Sequence, residues 1–290
     1  MPELPEVETI RAGLDAILPG QTVIEARVLH ERSVRRQSGG AEAFVVGLAG
    51  RTFAGARRRG KYLWFPFADG DALVAHLGMS GQFLMSGERT PHTRVKLALT
   101  GGVLRFADQR TFGGLWLCPG GADGPADIAH IAPDVFEADL RVLAHHIHRQ
   151  HRGIKRVLLD QGVVSGIGNI YADEALWRAG TYYAADADRL PVARIVAVLE
   201  AARNVMAESL NQGGTSFDAL YVHVDGEAGY FERSLAVYGR EGQPCLRCGR
   251  PIVREPFMNR SSFRCPQCQR HSFTGPGEGN RPDADSVGAL

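Results

Sequence analysis

Two sets of side chains in this 290-residue sequence have the types and spacing for chemistry, and they stand at opposite ends of the chain. The first is the opening run Met1-Pro2-Glu3-Leu4-Pro5-Glu6-Val7-Glu8-Thr9. Removal of Met1 leaves Pro2 as a free secondary amine with a carboxylate, Glu3, as its covalent neighbour. An α-amino group titrates near pH ~8, against ~10.4 for a lysine, so part of it is unprotonated and nucleophilic at neutral pH. After attack on a sugar C1′, a secondary amine yields a cationic iminium that cannot relax to a neutral imine and so remains an electron sink. The same residues also fit a plainer role, in which Pro2 precedes a helix and Glu3 and Glu6 favour its start. The second set is Cys245-Leu246-Arg247-Cys248 and Cys265-Pro266-Gln267-Cys268, two CxxC pairs with the spacing of a four-thiolate structural zinc site. Four thiolates leave no position open to water, so one structural Zn2+ is expected and catalysis must lie elsewhere.

The elements around these residues can be read from periodicity. Val7, Ile10, Leu14, Ile17 and Leu18 recur at helical spacing and stop at Pro19-Gly20, which sets a helix directly behind Pro2. Short strand patterns follow at 22–29, 52–56, 62–67, 72–76, 94–100 and 103–107, divided by glycine-bearing turns. The fold class expected is α+β: an N-terminal β-sandwich with the first helix packed on it, then an all-α domain, then a metal-bound hairpin. Helical patterns at 136–148, 154–161, 170–178 and 192–211 build the middle unit. Inside it, Val164-Ser165-Gly166-Ile167-Gly168-Asn169 reads as a tight turn with Asn169 suited to cap the next helix, and its N–H groups could hold a phosphate. The spacer between the cysteine pairs reads as a hairpin, 252–255 out and 262–264 back, with Arg260 near its tip. Domain limits are placed at 1–118 for the sandwich, 119–135 for a linker, 136–236 for the helical unit, 237–270 for the zinc hairpin and 271–290 for a disordered tail. Cys118 stands outside the cysteine array and reads as a small buried hydrophobe.

A formal net charge of +1 hides an uneven distribution. Arg57, Arg58, Arg59 and Lys61 cluster, as do Arg149, Arg152, Lys155 and Arg156, and Arg247, Arg250, Arg254, Arg260, Arg264 and Arg270 gather around the cysteines. Separate basic patches on a near-neutral chain imply a polyanion held along one face. No run of about 18 apolar residues could span a membrane, and the opening lacks a basic-then-apolar signal, so a cytoplasmic protein with no membrane partner is expected. Cysteines concentrated in one array fit metal binding in a reducing compartment better than disulfides.

Taken together, the opening run, Arg59-Gly60-Lys61-Tyr62, His76-Leu77-Gly78-Met79-Ser80-Gly81 and Gly166-Ile167-Gly168-Asn169-Ile170-Tyr171-Ala172-Asp173-Glu174 resemble the formamidopyrimidine-DNA glycosylases. The likeness continues through Asp225-Gly226, Gly229-Tyr230-Phe231 and Val237-Tyr238-Gly239-Arg240-Glu241-Gly242 into the cysteines, and covers Met1 to about Arg270. The related endonuclease VIII group typically opens Pro-Glu-Gly-Pro-Glu, so Leu4 favours the purine-repair branch. The resemblance implies a helix-two-turn-helix middle domain and a bifunctional glycosylase and abasic-site lyase acting on 8-oxoguanine and formamidopyrimidines. Its partner would be duplex DNA with damaged bases or abasic sites, met by a monomer in the bacterial cytoplasm or nucleoid. Pro2 would attack C1′ and form the iminium that drives β- and then δ-elimination, with Glu3 as acid or base. Lys61 and Arg260 complete the implied catalytic set, Lys61 at the lesion's phosphate or sugar and Arg260 at a phosphate. DNA contacts are implied for His92, Lys155, Asn169 and Tyr238, while Met79, Arg110 and Phe112 match residues that fill the gap left by a flipped nucleotide.

Departures from the family pattern occur at Arg94, where a second histidine is common, at Gln109, where proline is usual, and at Ser216-Phe217-Asp218-Ala219-Leu220, where the family carries its base-recognition loop. Two other readings compete: excision of oxidised pyrimidines, and a silent zinc-ribbon binder that recognises DNA damage without cutting. The second must explain why Pro2, Glu3 and Lys61 are all present.

Overall fold

A computed structural model describes residues 2–85, 90–213 and 234–270. The expected base-recognition segment 216–220, the 225–231 match and the 271–290 tail lie outside the described residues.

Helix α1 (Leu4–Asp15) begins with Pro5 in its first turn, where a missing N–H costs nothing, and buries Val7, Ile10 and Leu14. Behind it stand two four-stranded antiparallel sheets. One has the order β1 (Val23–Val28), β6 (Thr93–Leu99), β7 (Gly102–Asp108), β5 (Gly81–Met85), and the other β2 (Arg57–Arg59), β3 (Tyr62–Pro66), β4 (Ala72–His76), β8 (Gly114–Cys118). Phe53, Phe65, Phe83 and Phe106 stack edge-on or tilted between them, with ring centroids 5.3 to 6.2 Å apart along the chain of contacts. The sandwich is therefore as expected, with three local differences. Residues 52–56 contribute only isolated bridges, from Thr52 to Thr22 and from Phe53 to Phe67. Strands β5 and β8 were not legible, and neither was α2 (Gly40–Leu48), which buries only Phe44 and Leu48 and carries β-favouring Val45-Val46. Cys118 is buried in a cluster with Trp64 and Trp116, as expected.

In the helical half, α3 (Leu140–His148) starts at Asp139, whose carboxylate accepts from the N–H groups of Arg141 and Val142 at 2.8 and 3.1 Å. It is followed by α4 (Ile154–Leu158), α5 (Asn169–Arg178) and α6 (Val192–Asn211). The 119–135 stretch is packed rather than loose. Ile128, Ile131 and Val135 are buried, and fully buried Asp134 pairs with Arg58 at 2.8 Å. Helix α1 joins the halves, because Leu4 packs into the helical core while Val7, Ile10 and Leu14 pack into the sandwich.

The last element is the hairpin β9 (Val253–Phe257) and β10 (Arg260–Arg264), longer than expected and closed by Met258-Asn259. Met258 sits at φ 52, the left-handed region that a two-residue hairpin turn requires.

Candidate active site

Three backbone devices bring the N-terminus, Lys61 and the hairpin to one place. In the first, β2 pairs with β3 through Arg59 and Tyr62, so Gly60-Lys61 is a two-residue turn with Gly60 at φ +56. A Cβ on Gly60 would press into Ser165 at 2.7 Å, so glycine lets this turn lie against the helical half. Lys61 then reaches across and donates from Nζ to the Ile167 carbonyl at 2.9 Å. Gln161 holds the same carbonyl at 3.0 Å and accepts from Gly166 N–H at 3.0 Å.

In the second device, the N-terminus of α5 is occupied by Glu3. Its carboxylate accepts from the N–H groups of Gly168 at 2.8 Å, Ile170 at 2.8 Å and Tyr171 at 3.3 Å. A side chain at 168 would collide with that carboxylate, which accounts for glycine there. The turn expected to offer N–H groups to a phosphate has thus spent them on Glu3, which the helix dipole also favours. Asn169 does not cap the helix. Gly168 is the N-cap, and the Asn169 amide donates to the Ser261 carbonyl at 2.9 Å, tying helix to hairpin.

Behind Glu3 runs a buried polar chain that the sequence did not announce. Glu3 N–H donates to Glu6 Oε2 at 2.9 Å, Tyr171 Oη donates to Glu6 Oε1 at 2.8 Å, and Ser209 Oγ lies 2.6 Å from Tyr171 Oη. Burial raises the Glu3 pKa above the usual carboxylate range, and Glu6 adds to the effect; Lys61 and the backbone donors oppose it. Burial also lowers the Lys61 pKa, helped by Arg260 and opposed by Glu3 and Glu6. Such paired shifts bring a carboxyl and an ammonium nearer to proton exchange at neutral pH.

The third device is the hairpin. Pro2, Lys61, His76, Met258 and Arg260 line a cavity of about 390 Å³ together with Arg156 and the paired Arg152 and Asp160. The N-terminal proline, a lysine and an arginine from three separate stretches therefore surround one space, and the buried Glu3 carboxylate is the next residue after that proline.

The comparisons with known proteins agree with one another. Residues 1–115 match the family model described as formamidopyrimidine-DNA glycosylase N-terminal domain, 131–219 the formamidopyrimidine-DNA glycosylase H2TH domain, and 242–270 the zinc finger found in FPG and IleRS. A formamidopyrimidine-DNA glycosylase of Acidothermus cellulolyticus is 56% identical over 276 residues, which cover 93% of this chain and 97% of that one. The chain belongs to the formamidopyrimidine-DNA glycosylase family.

Among solved structures, the MutM (Fpg) protein of Thermus thermophilus is 36% identical with a TM-score of 0.81, covering 92% of this chain and 98% of that one. A Lactococcus lactis Fpg (MutM) complexed with Fapy-dG-containing DNA is 31% identical with a TM-score of 0.82, covering 92% and 100%. As a member of this glycosylase family the chain is an enzyme with an α+β fold, a helix-two-turn-helix unit and a C-terminal zinc finger.

The zinc centre fits its ion. The sulfurs of Cys245, Cys248, Cys265 and Cys268 all lie within 4.8 Å of one another. A tetrahedron with Zn–S of about 2.3 Å puts sulfurs about 3.8 Å apart. Cys245 to Cys268 is 3.9 Å and Cys248 to Cys265 is 3.4 Å. Donors typical of a thiolate shell are also in place, with Arg247 N–H and Trp177 Nε1–H at 3.4 Å from Cys245 Sγ.

The remaining candidates of this glycosylase fall into two groups. Met79 and Arg110 are neighbours, with Arg110 Nη1 at 3.7 Å from Met79 Sδ, and Phe112 is 47% exposed on the adjoining loop. His92 is half-buried, and its carbonyl accepts from Asp108 N–H at 2.9 Å, at the root of that loop. Tyr238 is half-buried, its ring 5.0 Å from Phe263 of the hairpin. Lys155 differs from expectation. It is fully buried, paired with Asp173 at 2.7 Å and 4.5 Å from the Phe257 ring, so it offers no surface to a phosphate in this conformation. The basic patches are also largely committed internally. Arg58 binds Glu8 and Asp134, Arg59 the Ile131 carbonyl, Arg247 the carbonyls of Trp177 and Arg178, and Arg264 binds Glu255.

Proposed function

We propose that this enzyme removes oxidised purines, 8-oxoguanine and formamidopyrimidines, from duplex DNA and then cleaves the strand at the resulting site. The observation that carries the reading is the cavity in which Pro2 stands with Lys61 and Arg260, with buried Glu3 as the next residue in the chain. The Fapy-dG DNA held by the Lactococcus lactis relative supports purine lesions as the substrate class.

In this account the Pro2 nitrogen bonds to C1′ as the C1′–N bond to the base breaks, and the base leaves with a proton. Glu3, its pKa raised, supplies or relays protons to the sugar so that its ring opens and C1′ becomes the iminium carbon. Loss of a C2′ proton expels the 3′-phosphate, and a second elimination expels the 5′-phosphate. Lys61 and Arg260 neutralise the charge that gathers on those phosphates. Lys61, its pKa lowered, is also suited to proton transfer. Asn169 and Tyr238 present polar groups beside the hairpin, and Met79, Arg110 and Phe112 fill the vacated stack. Lys155 acts through Asp173 on the hairpin rather than on DNA.

The cavity and the hairpin belong to one chain, which supports a monomer, and the four-thiol centre supports a reducing cytoplasm. The chain is divided functionally as 1–118, 119–135, 136–236 and 237–270, the first and last units meeting at the cavity.

The decisive assay follows end groups. With a duplex bearing one 8-oxoguanine, the account expects free base and a one-nucleotide gap bounded by 3′- and 5′-phosphates. Glu3→Gln should still bind this duplex but release base slower by about 100-fold or more. Intact strand from the unaltered enzyme, or unchanged release by Glu3→Gln, would contradict the mechanism.

A further inference from the structure

The loop from Asp108 to Gly113, between β7 and β8, carries Arg110 and Phe112, and its backbone is gripped at both ends by arginines from elsewhere in the chain. At its start, Arg94 on β6 donates from Nε to the Asp108 carbonyl at 2.7 Å. At its end, Arg35 donates from Nη1 to the Gly113 carbonyl at 2.8 Å and from Nη2 to the Phe112 carbonyl at 2.9 Å. A buried carboxylate closes the middle. Asp108 accepts from Ser80 Oγ at 2.5 Å and from Gly113 N–H at 2.8 Å, while Ser80 Oγ accepts from Arg110 N–H at 2.9 Å. Ser80 also follows Met79, so the turn carrying Met79 and the loop carrying the other two side chains are clipped into one unit.

The conformation so held is not one the loop would choose. Thr111 stands at φ 54, a left-handed backbone that costs a β-branched residue free energy and persists only where surroundings impose it. Gly78 lies so close to the Phe112-Gly113 backbone that any Cβ there would collide with it. Yet the side chains on this braced backbone stay outside the core: Phe112 is 47% exposed and Arg110 is exposed. A rigid loop with outward-facing side chains suits insertion into something else, because order imposed beforehand need not be imposed on binding.

We propose that Arg35 and Arg94 are positioning residues that pre-form this loop, so that Met79, Arg110 and Phe112 enter the base stack without first being ordered. The proposal rests on the glycosylase reading given above and adds to it two arginines that act through the loop's carbonyls. Arg94 takes the place of a histidine common in the family. Its guanidinium reaches the Asp108 carbonyl and stands 3.5 Å from the Gln109 carbonyl.

The test uses the full chain with Arg35→Met and Arg94→Met, singly and together. Single-turnover base release from an 8-oxoguanine duplex should slow about tenfold for each, the scale of one charge-assisted hydrogen bond. Cleavage and borohydride trapping on a preformed abasic site should stay within about twofold, since less unstacking is required there. The fluorescence rise of a 2-aminopurine placed beside the lesion, which reports opening of the stack, should slow in step with base release. Arg35→Lys should restore part of the rate, because an ammonium keeps a donor but not the two-pronged fork. Equal losses on both substrates would overturn the proposal, as would a double variant of normal rate. So would weakened binding to undamaged duplex with a flatter salt dependence, which would make these arginines phosphate contacts instead. Failure of the unaltered chain to trap on abasic DNA would strike the glycosylase reading itself and is read separately.

Discussion

The His76 imidazole shows how burial sets a single residue's charge beside the cavity. Its ring lies 4.7 Å from the Tyr62 ring, and Nδ1 accepts from Gly78 N–H at 3.2 Å. Burial, with Arg36, Lys61 and Arg35 nearby, brings its pKa down to about 4, so His76 is neutral where the enzyme works. The consequence for stability has a definite sign. Between the ordinary value of 6.5 and about 4 the unfolded chain binds a proton that the folded chain refuses. The contribution is therefore complete above pH 6.5 and is lost as pH falls to about 4, by about 3 kcal/mol. Urea midpoints measured across this window should fall with pH, and His76→Gln should flatten that fall. Parallel curves for the two proteins would refute the assignment. At this scale the sequence was only partly informative. Pro2, Glu3 and Lys61 stood out by type and motif, whereas Glu6, Tyr171 and Ser209 look like ordinary helix residues until the fold stacks them behind Glu3.

Helix α5 is the element to which most of the site is fastened. Glu3 binds its N-terminus, Asn169 and Asp173 hold the hairpin, and Glu174 accepts from the N–H groups of Ala236, Val237 and Tyr238 at 2.8 to 3.1 Å. Asp173 accepts from Ser262 Oγ at 2.8 Å and Phe263 N–H at 2.9 Å besides pairing with Lys155, and burial raises its pKa to about 6. Removing one member leaves the other charge buried alone, so Asp173→Ala should cost about 3–5 kcal/mol in urea unfolding. Removing both charges, as Lys155→Met with Asp173→Leu, should cost much less than the single change. A double variant as unstable as Asp173→Ala would show that the charge pair is not the cause. Helix α5 itself was legible from its periodicity, but its partners were not, because Ser261 and Phe263 come from about ninety residues away. The burial of Lys155 was not legible for the same reason, since a lysine in a basic cluster gives no sign of being packed against Asp173. Helix α2 escaped because two buried positions and a pair of valines make a weak helical pattern.

Across the whole molecule, the two cores are joined by α1 and by the buried bridge from Arg58 to Glu8 and Asp134, so the amine enters the cavity on a rigid support. The zinc centre does the same for Arg260 from the other end of the chain, with Arg247 anchoring it to the carbonyls of Trp177 and Arg178 at 2.8 Å. Many arginines that a count of charges would assign to DNA instead hold these parts together. Arg156 and Arg260 line the cavity, and Arg152 lines it while paired with Asp160 at 3.0 Å. Everything then depends on the Pro2 nitrogen being free, since in a Met1-Pro2 peptide it is a tertiary amide with no basic lone pair. The direct measurement is borohydride trapping on abasic-site duplex, using protein whose mature N-terminus is verified as Pro2 and protein with an uncleaved N-terminal tag, followed by mass mapping of the adduct. The account predicts a covalent adduct on the N-terminal peptide of the mature form at Pro2, and none from the tagged form although it still binds the duplex. An adduct formed as efficiently by the tagged protein, or one mapped to Lys61 in the mature protein, would contradict it.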